Sequence, residues 1–416
     1  MRDHGPIVVI GAGAAGLVAA IFAATGTQPV LLLERTKDGG RKILISGGGR
    51  CNVLPSTLSP NAFVTESSPH TLRNMLLSWP LPQQQRFFEQ DLGVPLSLEQ
   101  ASGKLFPVSN RARDVRDALV NEARRRGVEI RFECTVRDVV PVGLHAWTVV
   151  LDDGTTVDAA SVIIATGGLS VPQTGSDGTG LRVLERLGHT IHETYPALTP
   201  LVCSPPRHAA LAGVSLDVRL TAPLLKQRFD VEGGFLFTHR GYSGPAVLNI
   251  SHIAVRSRLA GSRHQPIHVQ WTEHDTDAWD ALLREGGAGN VGPLVRRHLP
   301  TRLADVLIEE AHIDPDRSLA ALRRDERMRL VNTLARYELP WTGDEGYRKA
   351  EVTGGGAALV EFDHRTMESR KHHGLFVCGE ALDAFGPIGG HNFAWAWSTG
   401  RSAGLGAARA MEAQRP

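Results

Sequence analysis

The residues able to do chemistry begin near the start of the chain. Gly11-Ala12-Gly13-Ala14-Ala15-Gly16 lies between an apolar run (6–10) and an Ala-rich run (14–25). The first run reads as a short strand and the second as a helix. Gly11 permits the tight turn out of the strand, Gly13 lets a pyrophosphate approach the backbone, and Gly16 lets the helix pack close to the sheet. The helix N-terminus offers N–H groups and partial positive charge to phosphate oxygens. Glu34 ends the next apolar run, 18 residues beyond Gly16, where a carboxylate accepts hydrogen bonds from a ribose. This pattern predicts a dinucleotide site; the alternative is a glycine-rich structural turn.

Three further elements narrow the dinucleotide. Gly39-Gly40-Arg41-Lys42 follows the acidic tip, Thr166-Gly167-Gly168 follows the strand-like run 158–165, and a strand at 374–378 leads to Gly379-Glu380. Together they resemble the FAD-binding class of two-dinucleotide-domain flavoproteins. In that class the Gly-Gly-Arg doublet continues along the pyrophosphate and ribityl chain, and the late acid points toward the ribityl hydroxyls. The block Arg41-Lys42-Ile43-Leu44-Ile45-Ser46-Gly47-Gly48-Gly49-Arg50-Cys51-Asn52 is more specific. It resembles the signature of the HI0933-like (BaiN/YhiN) family of FAD-binding flavoproteins. Blocks at 104–110, 165–168, 237–246, 351–356 and 366–369 match in order, so the resemblance covers essentially the whole chain.

The resemblance implies non-covalent FAD, with NAD(P)H as electron donor. It assigns the cofactor to Gly11, Gly13, Ala14, Ala15, Gly16, Glu34 and Arg35, then to Gly40, Arg41, Lys42, Gly47 and Asn52. Val136, Thr166, Gly167, Gly379, Glu380, Gly390 and Asn392 complete the set. One departure stands out: His391 occupies the place where the family usually has tyrosine.

These groups must be held by a folded scaffold. The expected fold class is α/β, a three-layer Rossmann-like FAD domain interrupted by an insertion. The FAD domain is expected over 1–190 and 351–416. The family's β-barrel unit is expected over 191–275 and 331–350, carrying a helical subdomain at 276–330. Helices are expected over about 72–92 and 110–127, and strands over 128–132, 135–140, 147–151 and 156–165. Gly175-Ser176-Asp177-Gly178-Thr179-Gly180 reads as a helix start, because no acid-tipped strand follows it. No separate NAD(P)H domain is visible.

Composition sets the outer bounds. At 416 residues the chain is too long for one compact core. Its 42% hydrophobic and 21% charged residues exclude a mostly disordered chain. Lys plus Arg at 45 against Asp plus Glu at 44 excludes a general nucleic-acid coat protein. Cys51, Cys134, Cys203 and Cys378 stand alone, without CxxC or histidines at ligand spacing, so neither a metal site nor a disulfide framework is expected. That usage points to a reducing, cytoplasmic compartment. The uncharged stretch 5–33 is broken by glycine and proline, and no membrane segment is expected.

The resemblance implies hydride transfer through flavin N5 to an activated C=C bond of a small molecule. Alternatives are a ribosomal-RNA dihydrouridine synthase, with RNA as a partner that is not favoured, an oxidase of a small amino ketone, and a flavin-binding protein without turnover. No residue is assigned a catalytic role. Cys51 reads as packing rather than as a proton donor. Lys42 and Arg50 read as neutralising pyrophosphate, as stabilising a reduced flavin anion or as binding an anionic substrate. His239 reads as a turn-stabilising residue, and Arg124-Arg125-Arg126 and Arg323-Arg324 as solvated helix faces. His391 reads either as a donor titrating near neutrality or as a loop-orienting residue.

Overall fold

The structure, a computed structural model, describes residues 5–143, 146–224, 227–261, 264–285, 287 and 289–413. The chain divides into two compact units, 1–195 with 351–416, and 196–350.

The first unit is built on a parallel five-stranded sheet. Its order is Leu375–Val377, Ser161–Ile164, Ile7–Ile10, Val30–Leu33, Glu129–Arg131. Ile7–Ile10 pairs in register with Ser161–Ile164 on one side and Val30–Leu33 on the other. All three strands are buried throughout. A parallel sheet covered on both faces needs such continuous apolar strands. The helix Ala14–Ala23 packs along the last helix, His391–Ala413. Gly400 and Gly404 make this close approach tolerable: a Cβ at either would lie 2.4 or 2.3 Å from the carbonyl oxygens of Ala15 or Ala19.

Two local expectations differ from the structure. The run 156–165 is two strands, not one. Thr156–Ala159 closes an antiparallel meander with Val136–Val142 and Ala146–Leu151, whereas Ser161–Ile164 enters the parallel sheet. The helix expected over 72–92 is broken into Pro69–Leu76 and Leu81–Arg86. Pro80 and Pro82 supply no N–H for a continuous helix.

The second unit carries a seven-stranded antiparallel sheet. It runs Tyr337–Glu338, His268–Gln270, Ser215–Leu224, Gln227–Phe237, Gly241–Ser243, Leu201–Val202, Gly343–Asp344. Its two outer strands belong to one stretch, 337–344. That stretch donates Leu339 N–H to Ile267 O at one edge and Thr342 N–H to Val202 O at the other, both at 2.8 Å. The sheet is thereby closed through a kinked segment. The helix Pro245–Leu259 packs against it. The helices expected as a separate subdomain share the sheet's core instead: Trp279, Leu303, Leu307 and Leu330 cluster with Phe235, Phe237 and Trp271. Large apolar faces on both elements leave no reason for two separate cores.

A buried clasp holds the first unit together near its second chain crossing. His189 Nδ1 lies 2.8 Å from Glu361 Oε2, its Nε2 lies 3.0 Å from Ser369 Oγ, and its ring stacks on Phe362. Burial alone would raise the Glu361 carboxyl. Donors from Lys371, Thr190 and His189 overcome it and hold the group at about 2. A carboxyl depressed in the folded state stabilises above its unfolded value and loses that contribution as pH falls. The protein should therefore lose on the order of 2–3 kcal/mol from this group between about pH 4.5 and 2. Glu361→Gln should lower stability at pH 7 and flatten that acid limb in urea unfolding at stepped pH; an unchanged limb counts against the clasp.

Candidate functional site

The first glycine turn is assembled by close contacts. A Cβ on Gly16 would lie 1.8 Å from Gly11 O, so only glycine lets the helix begin here. A Cβ on Gly13 meets nothing within 4 Å. Ala12 N–H donates to Glu34 Oε2 at 2.7 Å, and Glu34 Oε1 accepts from Thr36 N–H at 2.8 Å and its hydroxyl at 2.7 Å. Glu34 is buried, yet one of its four acceptor positions stays open. The second glycine turn docks on the first, with Gly40 N–H donating to Ala12 O at 2.8 Å. Thr166 lies beside Gly11, and Gly379 beside Ala15.

A second group of predicted residues gathers around 47–52. Gly47, Gly48 and Gly49 all have positive φ, and a Cβ on Gly48 would enter open space. Asn52 accepts from Gly390 N–H at 3.0 Å and donates to Leu54 O at 3.2 Å. Asn392 closes the loop before the last helix, accepting from Gly386 N–H at 2.8 Å and donating to Gly386 O at 2.9 Å.

Lys42 and Glu380 bridge elements far apart in sequence. The Lys42 ammonium donates to Glu380 Oε2 at 2.5 Å and to Ser170 Oγ at 2.7 Å. Glu380 Oε1 also accepts from the Ser170 hydroxyl (2.6 Å), Thr353 N–H (3.0 Å) and the Thr353 hydroxyl (2.9 Å). The carboxylate expected to face ribityl hydroxyls thus already binds protein donors. Ser170 carries no sequence signal, and Thr353 lies within the block 351–356 that resembles the family. Asp383 is a further anchor. Its buried Oδ2 accepts from Glu66 N–H and Ser67 N–H, each at 2.9 Å, and from the hydroxyls of Thr65 and Ser67.

Other predicted residues are paired with protein groups. Arg35 pairs with Asp177, and Arg41 with Asp38 at 2.8 Å. Val136 begins the meander opposite Leu151. Arg50 pairs with Glu99 at 3.0 Å over the Phe106 ring. The turn at His239 is held by the Thr238 hydroxyl, which accepts from Gly241 N–H at 3.0 Å.

Two titrating candidates resolve. Cys51 is fully buried and its thiol is pushed up to about 12 by burial, so it packs beside the loop as a neutral group. Burial pushes the His391 imidazole down to about 4, so it does not change charge between pH 5 and 8. Its Nδ1 is buried without a hydrogen-bond partner, and its ring packs edge-on to Phe63.

The family model of the HI0933-like protein Rossmann domain matches residues 5–406. The chain belongs to the HI0933-like family. Members of this family are FAD-dependent oxidoreductases, and the open positions beside Gly13 and Gly48 fit such a cofactor. Among curated relatives, a ribosomal RNA dihydrouridine synthase of Escherichia coli is 34% identical, covering 94% of this chain and 95% of its own. The Haemophilus influenzae protein of the same name is 31% identical over 98% and 100%. A 3-dehydro-bile acid delta(4,6)-reductase of Clostridium scindens is 31% identical over 97% and 98%. No described helix is long and apolar enough to cross a membrane.

The two glycines of the first turn make a discriminating pair. Gly16→Ala should destabilise the fold by about 1–3 kcal/mol or more through overpacking. Gly13→Ala should leave the melting temperature of the flavin-free protein unchanged but lose flavin on dialysis. Equal stability of the two variants, or full flavin retention by Gly13→Ala, contradicts this division of roles.

Proposed function

We propose that the chain reduces a C=C bond conjugated with a carbonyl group, using FAD and an NAD(P)H donor. The observation that carries this reading is convergence among its relatives. Proteins aligned along 94–98% of the chain are named for reducing a uridine in ribosomal RNA and for a bile acid Δ4,6-reduction. Both names describe hydride addition to a double bond activated by a nearby carbonyl.

In this reading Gly11, Gly13, Ala14, Ala15 and Gly16 hold the pyrophosphate at the helix start. Glu34 accepts from the adenosine ribose, with Arg35 and Val136 at the adenine end. Gly40, Arg41, Thr166, Gly167 and Gly379 line the path onward, while Lys42 serves the ribityl chain and Glu380, already bound by Lys42, Ser170 and Thr353, holds that lysine in place. Gly47, Asn52, Gly390 and Asn392 fix the start of the last helix. When bound, FAD supplies the hydride acceptor and donor atom, N5. The helix beginning at His391 presents partial positive charge where negative charge develops on reduction. The neutral His391 ring gives its N–H to Ile388 O, so its unpartnered Nδ1 is an acceptor that a substrate N–H or O–H would complete. NAD(P)H approaches without a domain of its own.

A second reading makes the acceptor a uridine in RNA, favoured by the names of two relatives. The assay separates the two. Flavin released by heat should run as FAD. NADH and NADPH oxidation should then be followed with steroid dienones, simple enones, and ribosomal RNA lacking the modification. Turnover with enones supports the small-molecule reading, and turnover with RNA alone moves the acceptor to uridine. Reduction of none of them overturns the proposal. His391→Gln should lower turnover up to about tenfold, the loss of one neutral hydrogen bond. Its pH profile between 5 and 8 should match the parent; a lost limb there would show that His391 titrates.

A further inference from the structure

The second unit holds a cluster that the flavin chemistry does not use. His274 Nε2 and His298 Nδ1 face each other at 3.2 Å, and Glu273 Oε1 lies 3.5 Å from the same His274 nitrogen. The three ligand atoms all fall within 4.8 Å of one another. Two imidazole nitrogens on a tetrahedral Zn2+, each at about 2.0–2.1 Å, stand roughly 3.3 Å apart. The observed spacing therefore matches two ligands of one ion as well as it matches a hydrogen bond.

The surroundings hold both rings in place. Trp279 is fully buried and meets His274 and His298 edge-on, with ring centres 5.5 and 5.2 Å away. Its indole N–H donates to Thr272 Oγ1 at 3.2 Å, and the same oxygen accepts from His274 N–H at 3.2 Å. Asp275 is committed elsewhere: its Oδ1 accepts from Asp277 N–H and Ala278 N–H at the start of the next helix. His298 is anchored by its N–H to Val295 O at 3.0 Å, just beyond the helix Val291–Arg296. Both imidazoles are partly exposed, and the Glu273 side chain is mostly so, which leaves an ion a way in and a water position.

We propose that Glu273, His274 and His298 form a site for a divalent transition cation of the zinc class. Two imidazoles and one carboxylate suit such an ion better than Mg2+ or Ca2+, which prefer all-oxygen ligands. The ion would staple the entry of the helix Thr276–Glu285 to the end of Val291–Arg296, a structural role separate from the flavin.

The test uses the untagged, FAD-loaded full chain. After chelation and dialysis, Zn2+ titration should show one equivalent bound with micromolar or tighter affinity and a rise in melting temperature. Co2+ should give the visible absorption of a low-symmetry nitrogen–oxygen site at wavelengths beyond the flavin bands. His274→Gln and His298→Gln should each weaken Zn2+ at least about tenfold, since even outer-shell losses cost that much, with flavin content unchanged. If either variant fails to fold, the Co2+ spectrum of the parent decides. No bound equivalent with Zn2+ in large excess, or a featureless Co2+ spectrum, leaves the pair as a plain histidine–histidine hydrogen bond and overturns the proposal. Affinity unchanged in both variants does the same.

Discussion

The backbone of Ala12 is where the flavin-binding unit is tied. Its N–H reaches Glu34 at the end of the second strand, and its carbonyl receives Gly40 N–H from the next turn. Three segments separated in sequence thereby meet at one residue. The geometry requires the first turn to be free of side chains, because a Cβ on Gly16 or Gly11 would strike backbone oxygens. The cost of this arrangement is a buried carboxylate, and three donors from Ala12 and Thr36 offset it. An acid left unpaired there would favour its neutral form.

From that knot the rest of the site is positioned by long-range pairs. Lys42 meets Glu380 across the domain, Asn52 meets Gly390, and Asp383 gathers the turn at 65–67. Each pair joins the N-terminal part of the chain to the segment that returns after residue 350. The interruption by a second unit is therefore compatible with one cofactor site, because side-chain bonds as well as the sheet tie the returning segment to the N-terminal part. Trp395 and Trp397 add to this, donating from the last helix to Gly379 O and Val53 O.

What could be read from spacing was local: the turn at 11–16 and the acid at 34, which Ala12 N–H joins. The blocks at 47–52 and 379–380 were legible only through the family resemblance; Gly379 lies beside Ala15 and Asn52 meets Gly390. The boundary between Thr156–Ala159 and Ser161–Ile164 was not legible, since the chain runs from one strand into the other with no turn residue between them and only their partners differ. The segment 331–350 was assigned to the second unit's sheet through the resemblance, but its strands, two residues each, were too short to be located by pattern. The state of His391 depended on burial, which a tripeptide of glycines and asparagine does not reveal. His274 and His298 lie 24 residues apart without a cysteine between them, so spacing rules for metal ligands passed over them.

The distribution of charge bears on which acceptor this scaffold suits. Between 276 and 330 there are nine arginines and ten acidic residues. Many of the arginines are already engaged: Arg284 and Arg327 share Asp280, Arg296 holds Asp305, Arg317 holds Glu326 and Arg329 holds Asp325. Binding to a nucleic acid draws most of its affinity from releasing counterions at free cationic groups. An arginine paired with a carboxylate must first give up that partner, so these helices offer RNA little electrostatic gain. A neutral, apolar acceptor meets no such penalty. The proposed small-molecule acceptor asks for no free cations in these helices, whereas an RNA acceptor would have to be held by cations outside them.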